Sequence, residues 1–305
     1  FSATQYINQW KWSTGFNIQK SSYNNNTSFI FYDIAYETNL NFAKYGFFVK
    51  GSRNFFNERL SLAIGVRSDA DSFSQGSNLI DNISPRLSLS FALTDDQRWK
   101  VNTSLGRYFK IPTYTMLGFQ NQNLFVNRNA SYTQSNHYVT GIEYNLTPAS
   151  RISVEGFLKQ YSNYPISLID GVSLANKGGG FEVLGNEAII SEGIGQSRGG
   201  EFLFQQKLSK NFYGIFAYTY FFSEFSGLDR ISRPSVWDSR HLISFVGGYK
   251  LKRNWELSAR WRFAGKNPYV PTNVEASTLS YPEIILDYDR LGDVKLAAFN
   301  QADIR

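Results

Sequence analysis

The chain has 305 residues, enough for one large domain, with 31 Lys and Arg against 25 Asp and Glu, a net charge of +6 and no cysteine. The missing cysteines exclude disulfide frameworks and thiol chemistry. The cations are scattered one per segment instead of clustered, which excludes a nucleic-acid partner. Aromatic residues make up 17% of the chain, with 19 Tyr and 26 Phe, yet the mean hydropathy is −0.33. No run approaches the ~18 consecutive apolar residues of a membrane helix. A membrane wall of β-strands reconciles these values, because only every second residue of such a strand has to be apolar.

Strand-like segments of about ten residues, the length of tilted membrane strands, follow one another along the chain. The first, 9–20, places Trp10, Trp12, Thr14, Phe16 and Ile18 on one face, and the polar stretch Ser21-Ser-Tyr-Asn-Asn-Asn-Thr27 reads as a loop. Segment 42–53 carries Tyr45, Phe47 and Val49, and 54–57 is a turn into 58–68, where Leu60, Leu62, Ile64 and Val66 alternate with polar or small residues. After a polar loop, 85–93 alternates Leu87, Leu89, Phe91 and Leu93 with Arg86, Ser88, Ser90 and Ala92, and the turn at 94–97 leads to Trp99, Val101, Thr103 and Leu105. Past a loop at 110–134 come 135–146, a turn at 147–150, and 151–161 with Ile152, Val154 and Leu158 on one face and Glu155, Phe157 and Lys159 on the other. The longest loop, 162–196, precedes 198–208 and 212–223; the loop 224–238 leads to 239–251 and, across Lys252 and Arg253, to 254–265. There Trp255, Leu257, Ala259, Trp261 and Phe263 alternate without slippage with Glu256, Ser258, Arg260 and Arg262. A loop at 265–298 precedes the last segment, 299–305.

The period of two gives each segment one apolar face and one polar face, with large aromatics at the ends of the apolar face, as in the girdles of membrane barrels. Connections alternate between turns of two to four residues and loops of about 13 to 35, the asymmetry of short periplasmic turns and long extracellular loops. The expected fold is therefore all-β, a transmembrane antiparallel up-and-down β-barrel, with residues 1–305 as a single partial barrel domain of about twelve strands. The chain opens on Phe1-Ser-Ala-Thr4 without a leader pattern and stops inside a strand, so it reads as a piece of a longer polypeptide. Its edge strands are then expected at Trp10–Ile18 and at 300–305.

Five stretches carry a family resemblance: Ser84-Pro-Arg-Leu-Ser-Leu-Ser-Phe91, Gly106-Arg-Tyr-Phe-Lys-Ile-Pro112, Trp237-Asp-Ser-Arg-His241 with Gly247-Gly-Tyr249, Gly265-Lys-Asn-Pro-Tyr-Val-Pro271, and Phe299-Asn-Gln-Ala-Asp-Ile-Arg305. In this order and at these separations they resemble the C-terminal half of the barrel of TonB-dependent outer-membrane receptors, of the Bacteroidetes type. The resemblance implies a larger barrel of about 22 strands, a plug domain and a TonB box lying outside this chain, and a final strand that is also outside it. It implies residence in the outer membrane of a Gram-negative bacterium and active uptake of a scarce solute such as a siderophore, oligosaccharide, peptide or cofactor. The implied partners are outer-membrane lipid and lipopolysaccharide, the protein's own plug and TonB. A surface lipoprotein is a further candidate, although the C-terminal pattern does not resemble the glycan importers that pair with a lipoprotein lid. The competing reading is a passive porin or a non-transporting barrel serving as scaffold in an envelope complex.

Strand parity puts Arg67, Arg86, Glu143, Arg151, Glu155, Lys159, Glu201, Arg240, Glu256, Arg260 and Arg262 on the face away from lipid. Mixed signs there suit contact with a folded plug better than an ion-selective pore. The loop aromatics Tyr114, Phe119, Phe125, Tyr132 and Phe181 either contact ligand or pack loops onto one another. No catalytic residue, metal ligand or cofactor-binding group stands out, and the chain is not expected to be an enzyme. The two histidines, His137 and His241, have no Ser–His partner arrangement, and Asp95-Asp96 reads as a turn pair. Asp287-Tyr-Asp289 lacks the spacing of a calcium loop, and Gly178-Gly-Gly180 lacks the strand and helix that flank a phosphate loop.

Overall fold

Alternating apolar residues bury nothing unless one face of the sheet meets lipid or a second layer, so register and exposure decide what the strands form. The computed structural model describes residues 1–29, 34–177 and 185–305. Six antiparallel strands open the chain: β1 (Ser2–Ile7), β2 (Trp10–Phe29), β3 (Ile34–Phe55), β4 (Leu60–Asp71), β5 (Ser84–Ala92) and β6 (Trp99–Lys110). The loop after β6 holds the one-turn helix α1 (Tyr114–Leu117) and a small hairpin of β7 (Gln120–Asn121) and β8 (Leu124–Phe125). The sheet resumes with β9 (Thr133–Thr147), β10 (Ser150–Ser167), β11 (Ile189–Ser209) and β12 (Phe212–Ser226). The three-residue β13 (Ser232–Pro234) folds back on β12, and β14 (His241–Lys250) and β15 (Glu256–Ala264) continue the wall. Before β18 (Phe299–Ile304) the last loop carries β16 (Pro268–Tyr269), α2 (Val274–Leu279) and β17 (Val294–Lys295).

The main sheet runs β1-β2-β3-β4-β5-β6-β9-β10-β11-β12-β14-β15-β18, each strand antiparallel to its neighbour in sequence. This is an up-and-down meander with no crossing, and β1 and β18 stay as free edges. Register carries one face intact across it. Ile64 sits opposite Leu87, Leu87 opposite Leu105, Leu105 opposite Tyr138 and Tyr138 opposite Leu158. At the far end Tyr249 faces Leu257 and Phe245 faces Trp261. These side chains are not covered: Ile18 is 74% exposed, Val154 55% and Leu257 54%. An apolar surface this continuous on a folded chain is a surface for lipid. At its short-turn rim Trp10 stacks on Trp12 at 5.7 Å and Trp99 on Tyr144 at 4.3 Å, the interfacial aromatics of a membrane wall.

The turns and loops sort by end as expected, with corrected boundaries. The short connections are 8–9, 56–59, 93–98, 148–149, 210–211 and 251–255, and the longer ones 72–83, 111–132, 168–188, 227–240 and 265–298. The turn after β3 lies at 56–59, not 54–57, because Phe56, Asn57 and Glu58 take positive φ values of 54, 53 and 67°. Two further corrections concern the first strands. Ser2–Ile7, not Trp10–Ile18, is the edge, because β1 pairs with Trp10–Gly15. Ser21 to Asn26 is not a loop, since β2 and β3 zip together through Phe29 and Ile34. Above the membrane both faces of a strand meet water or loops, so polar residues continue the ladder without an apolar alternation.

Most of the buried residues lie at the long-loop end, with Ala92 at the short-turn end of β5 an exception. Leu40, Phe42, Leu117 and Ala130 form the core cluster, packed against Tyr23, Phe73, Ile111, Tyr114, Phe125 and Ile189. Loop 111–132 thus turns inward and seats α1 on the upper part of β2 and β3.

Candidate functional site

The face opposite the lipid surface carries the polar half of each strand. Arg67, Arg86, Glu143, Arg151, Glu155, Lys159, Glu201, Glu256, Arg260 and Arg262 all fall on it by register. Some are neutralised locally. Arg67 reaches both oxygens of Asp69 at 2.5 and 2.6 Å. Arg151 donates to Glu143 at 3.0 Å and to Gln205 at 2.8 Å. Tyr213 donates to Glu256 at 2.5 Å. Arg86 lies 4.4 Å over the ring of Tyr108 and Lys159 5.2 Å over that of Phe157. Others are not. Glu155 stands directly opposite Glu201 in the ladder, an arrangement of like charges that costs stability unless a cation joins it. Among the described residues Glu155, Glu201, Arg260 and Arg262 make no ion pair and no side-chain hydrogen bond.

Arg240 departs from the strand-parity expectation. Its φ of 64° interrupts the alternation just before β14. The guanidinium lies 3.9 Å over the ring of Phe222, and Phe222 shares the lipid face through its pairing with Arg198. Arg240 also pairs with Asp238 at 3.1 Å. A left-handed residue reverses the direction of its side chain relative to an extended one, which is why parity failed here.

Four of the five loop aromatics lie among the described residues, and each contacts another side chain of the chain. Tyr114 meets Phe42 at 5.4 Å and Tyr23 at 5.9 Å, and Lys44 donates to its hydroxyl at 2.8 Å. Phe119 packs on Tyr36 at 5.8 Å and Phe125 on Phe73 at 5.1 Å. Tyr132 is 4% exposed and donates to Asp71 at 2.8 Å. Their rings are occupied by the chain itself, because a loop folded into a mouth needs an apolar anchor; Tyr132 in particular offers no surface to a ligand. Phe181 and Gly178-Gly-Gly180 lie outside the described residues.

Sequence reasoning missed the residues that join loop to loop. Asn127 donates to the carbonyls of Met116 and Glu187 and accepts from the amide of Ile189, tying loop 111–132 to loop 168–188. Asn176 donates to the carbonyls of Arg233 and Pro234, and Arg233 bridges Asp229 and Asp289, each at 2.7 Å. Asp289 is thereby part of a structural tie. Within loop 168–188 the Lys177 ammonium holds Asp170 at 2.8 Å and Glu187 at 3.0 Å. An asparagine in a polar loop has no periodicity to mark it; only its partners reveal the role. The other acidic pair of the sequence, Asp95-Asp96, is a turn: Asp96 accepts from Thr94 and from the amide of Arg98, and Asp95 pairs with Arg59 at 2.9 Å.

Asp238, in loop 227–240, is 2% exposed. Desolvation pushes its carboxyl above the ordinary range, opposed by the Arg240 guanidinium. A carboxyl raised in the folded state contributes most below its unfolded value, and that contribution is lost as pH rises through the folded value. Loop 227–240 is therefore expected to open more often as pH rises from about 4 toward neutrality. Amide-exchange protection of this loop, corrected for intrinsic rates, should fall over that range and become flat in Asp238→Asn; a pH-independent wild type would refute this.

With this geometry in place, residues 2–305 match the family model described as TonB dependent receptor-like, beta-barrel. No curated protein sequence matches the chain. Among solved structures, FpvA of P. aeruginosa bound to heterologous pyoverdines is similar with a TM-score of 0.67 at 14% identity, covering 99% of this chain and 40% of that one. The copper transporter OprC is similar with a TM-score of 0.63 at 14% identity, covering 99% and 46%. The FrpB iron transporter from Neisseria meningitidis is similar with a TM-score of 0.62 at 11% identity, covering 99% and 46%. The chain spans less than half the length of each of these neighbours, and at such identities the likeness is one of fold.

Proposed function

Because the chain belongs to the TonB-dependent receptor-like β-barrel family, we propose that it forms the C-terminal half of the barrel of an active transporter, of the Bacteroidetes type, that imports a scarce solute. The protein resides in the outer membrane of a Gram-negative bacterium. In this reading the free edges β1 and β18 pair with further strands of the same polypeptide, and a plug domain fills the lumen and is pulled by TonB. The observation that carries it is the set of inner-wall charges of both signs left without partners, with Glu155 opposite Glu201 and Arg260 beside Arg262 in the alternation. A folded plug of complementary charge satisfies both signs at once, whereas an open pore would favour one sign. The solute class stays broad, covering a siderophore, oligosaccharide, peptide or cofactor. Lipopolysaccharide surrounds the barrel, and a surface lipoprotein seated on the loop mouth is a further candidate partner.

The proposal orients the sheet. Turns 56–59, 93–98, 148–149, 210–211 and 251–255 face the periplasm, and loops 111–132, 168–188 and 265–298 face outward. Protease shaving of intact cells is expected to cut only within those loops; cleavage at Lys252 or Arg253 would reverse the orientation.

The function is tested on the full-length receptor. Uptake should stop when the proton gradient is collapsed or TonB is deleted, and the purified protein should not conduct ions steadily in a planar bilayer. Steady open-pore conductance would favour a passive porin, and wild-type growth phenotypes with no energised uptake a scaffold.

A further inference from the structure

The inner wall changes character with depth. Toward the short turns it carries both signs, with Arg151 on Glu143 and Glu155 opposite Glu201. Four residues up β10 from Glu155, about 13 Å nearer the loops, stands Lys159. Register runs from it straight across the sheet. Lys159 lies opposite His137, His137 opposite Gly106 and Gly106 opposite Arg86. Arg86 lies opposite Gly65, and Gly65 opposite Lys50. One lumen-side row over β3 to β6, β9 and β10 thus holds three cations and an imidazole. On these strands neither this row nor the rows two residues above and below it contain Asp or Glu. The next carboxylate toward the loops, Asp69, is taken by Arg67. Among the described residues Lys50, Arg86 and Lys159 make no ion pair and no side-chain hydrogen bond.

The cations of this row are held in place. The ring of Tyr108 lies down over Gly106, where an added Cβ would stand 2.9 Å from it. Arg86 rests on that ring at 4.4 Å and the His137 ring meets it at 4.5 Å. Lys159 is held 5.2 Å over Phe157. A ring face fixes the position of a cation but supplies no counter-charge and accepts no conventional hydrogen bond. The row also sits close below the mouth, since Arg86 is two residues from the loop end of β5 and Tyr108 two from that of β6. Contact with a folded domain calls for both signs, which the lower wall offers. A wall of one sign concentrates small solutes of the other.

Resting on the transporter reading above, we propose that the imported solute is a polyanion, received below the mouth by Lys50, Arg86 and Lys159. The Arg86 fork, steadied on Tyr108, matches the paired oxygens of a carboxylate or phosphate, and the two lysines take further oxyanions as point charges. Lys50 and Arg86 are two strands apart and Arg86 and Lys159 three, about 10 and 14 Å along the row. One oxyanion cannot span the row, so the solute carries at least two. A siderophore, peptide or cofactor with several carboxylates or phosphates meets this requirement. A neutral oligosaccharide does not.

The test uses the full-length receptor in mild detergent at low ionic strength, titrated calorimetrically with citrate, with pyrophosphate and with neutral maltotriose. One polyanion per barrel is expected to bind, citrate more tightly for a carboxylate solute and pyrophosphate for a phosphate one, while maltotriose stays unbound. Arg86→Gln and Lys159→Gln should each weaken binding about tenfold. Arg107→Gln removes a cation from the other face of β6 and should change nothing. Heat-dependent gel migration reports that each variant is folded. Unchanged binding in Arg86→Gln and Lys159→Gln overturns the proposal, and so does an equal loss in Arg107→Gln, which would mark net charge alone. Binding of neither polyanion also overturns it and makes plug carboxylates the partners of the row. If uptake depends on TonB and neither polyanion binds, this inference alone fails. If both bind and uptake needs no energy, the anion site stands and the transporter reading fails.

Discussion

Expressed as residues 1–305 alone, the chain stays out of the membrane and aggregates. The reason is the pair of free edges, Ser2–Ile7 and Phe299–Ile304, on a sheet that does not close. About half of the backbone N–H and C=O groups of an edge strand point away from its single partner. In hydrocarbon each such group costs several kcal/mol, so the two edges together lose roughly tens of kcal/mol, against a net stability of about 5–15 kcal/mol for an ordinary domain. Both ladders adjoining the edges are also short, since β1 covers only the lower part of β2. Refolding in detergent or liposomes, followed by circular dichroism and heat-dependent gel migration, checks this outcome. A stable monomer of residues 1–305 that conducts ions would show that the sheet closes on itself, and the small-porin reading would replace the receptor one.

Leu89→Arg in the full-length barrel is expected to cost about 2–4 kcal/mol, while Ser90→Arg, one residue on, costs close to nothing. Leu89 faces Leu62 on one side and Thr103 on the other, in the middle of the lipid wall. Ser90 faces Ser61 and Asn102 on the inner wall. The two substitutions add the same side chain to the same strand at almost the same depth. They differ only in whether the guanidinium enters hydrocarbon or a wet lumen, so intrinsic strand propensity cancels. Urea titration of the folded barrel in lipid vesicles measures both. Equal penalties would mean that Leu89 does not face lipid.

Asn127, Asn176 and Arg233 join four loops in sequence around the mouth, so loosening one tie loosens its neighbours. For a transporter, such a linked mouth would let one bound solute be felt by several loops at once.

What the sequence determined by itself is the wall. Lipid on one side of a strand makes every second residue apolar, a constraint readable within ten residues. Trp255 to Phe263 therefore shows its outer face without reference to any partner, and the register of β14 and β15 agrees. The alternation of short turns and long loops was legible for the same reason, because the apolar beat stops where the membrane stops. The tertiary structure alone decided what lies above the membrane. Ser21 to Asn26 continue a strand there because Leu40 and Phe42 on β3 are covered by α1, a segment more than seventy residues away in sequence. Tyr114 and Tyr132 became anchors of loops because Lys44 and Asp71 stood within reach. Arg240 left the inner wall through one positive φ that no alternation announces. In water both faces of a segment can be polar, so no period survives to be read, and partners distant in the chain decide which side chains are buried.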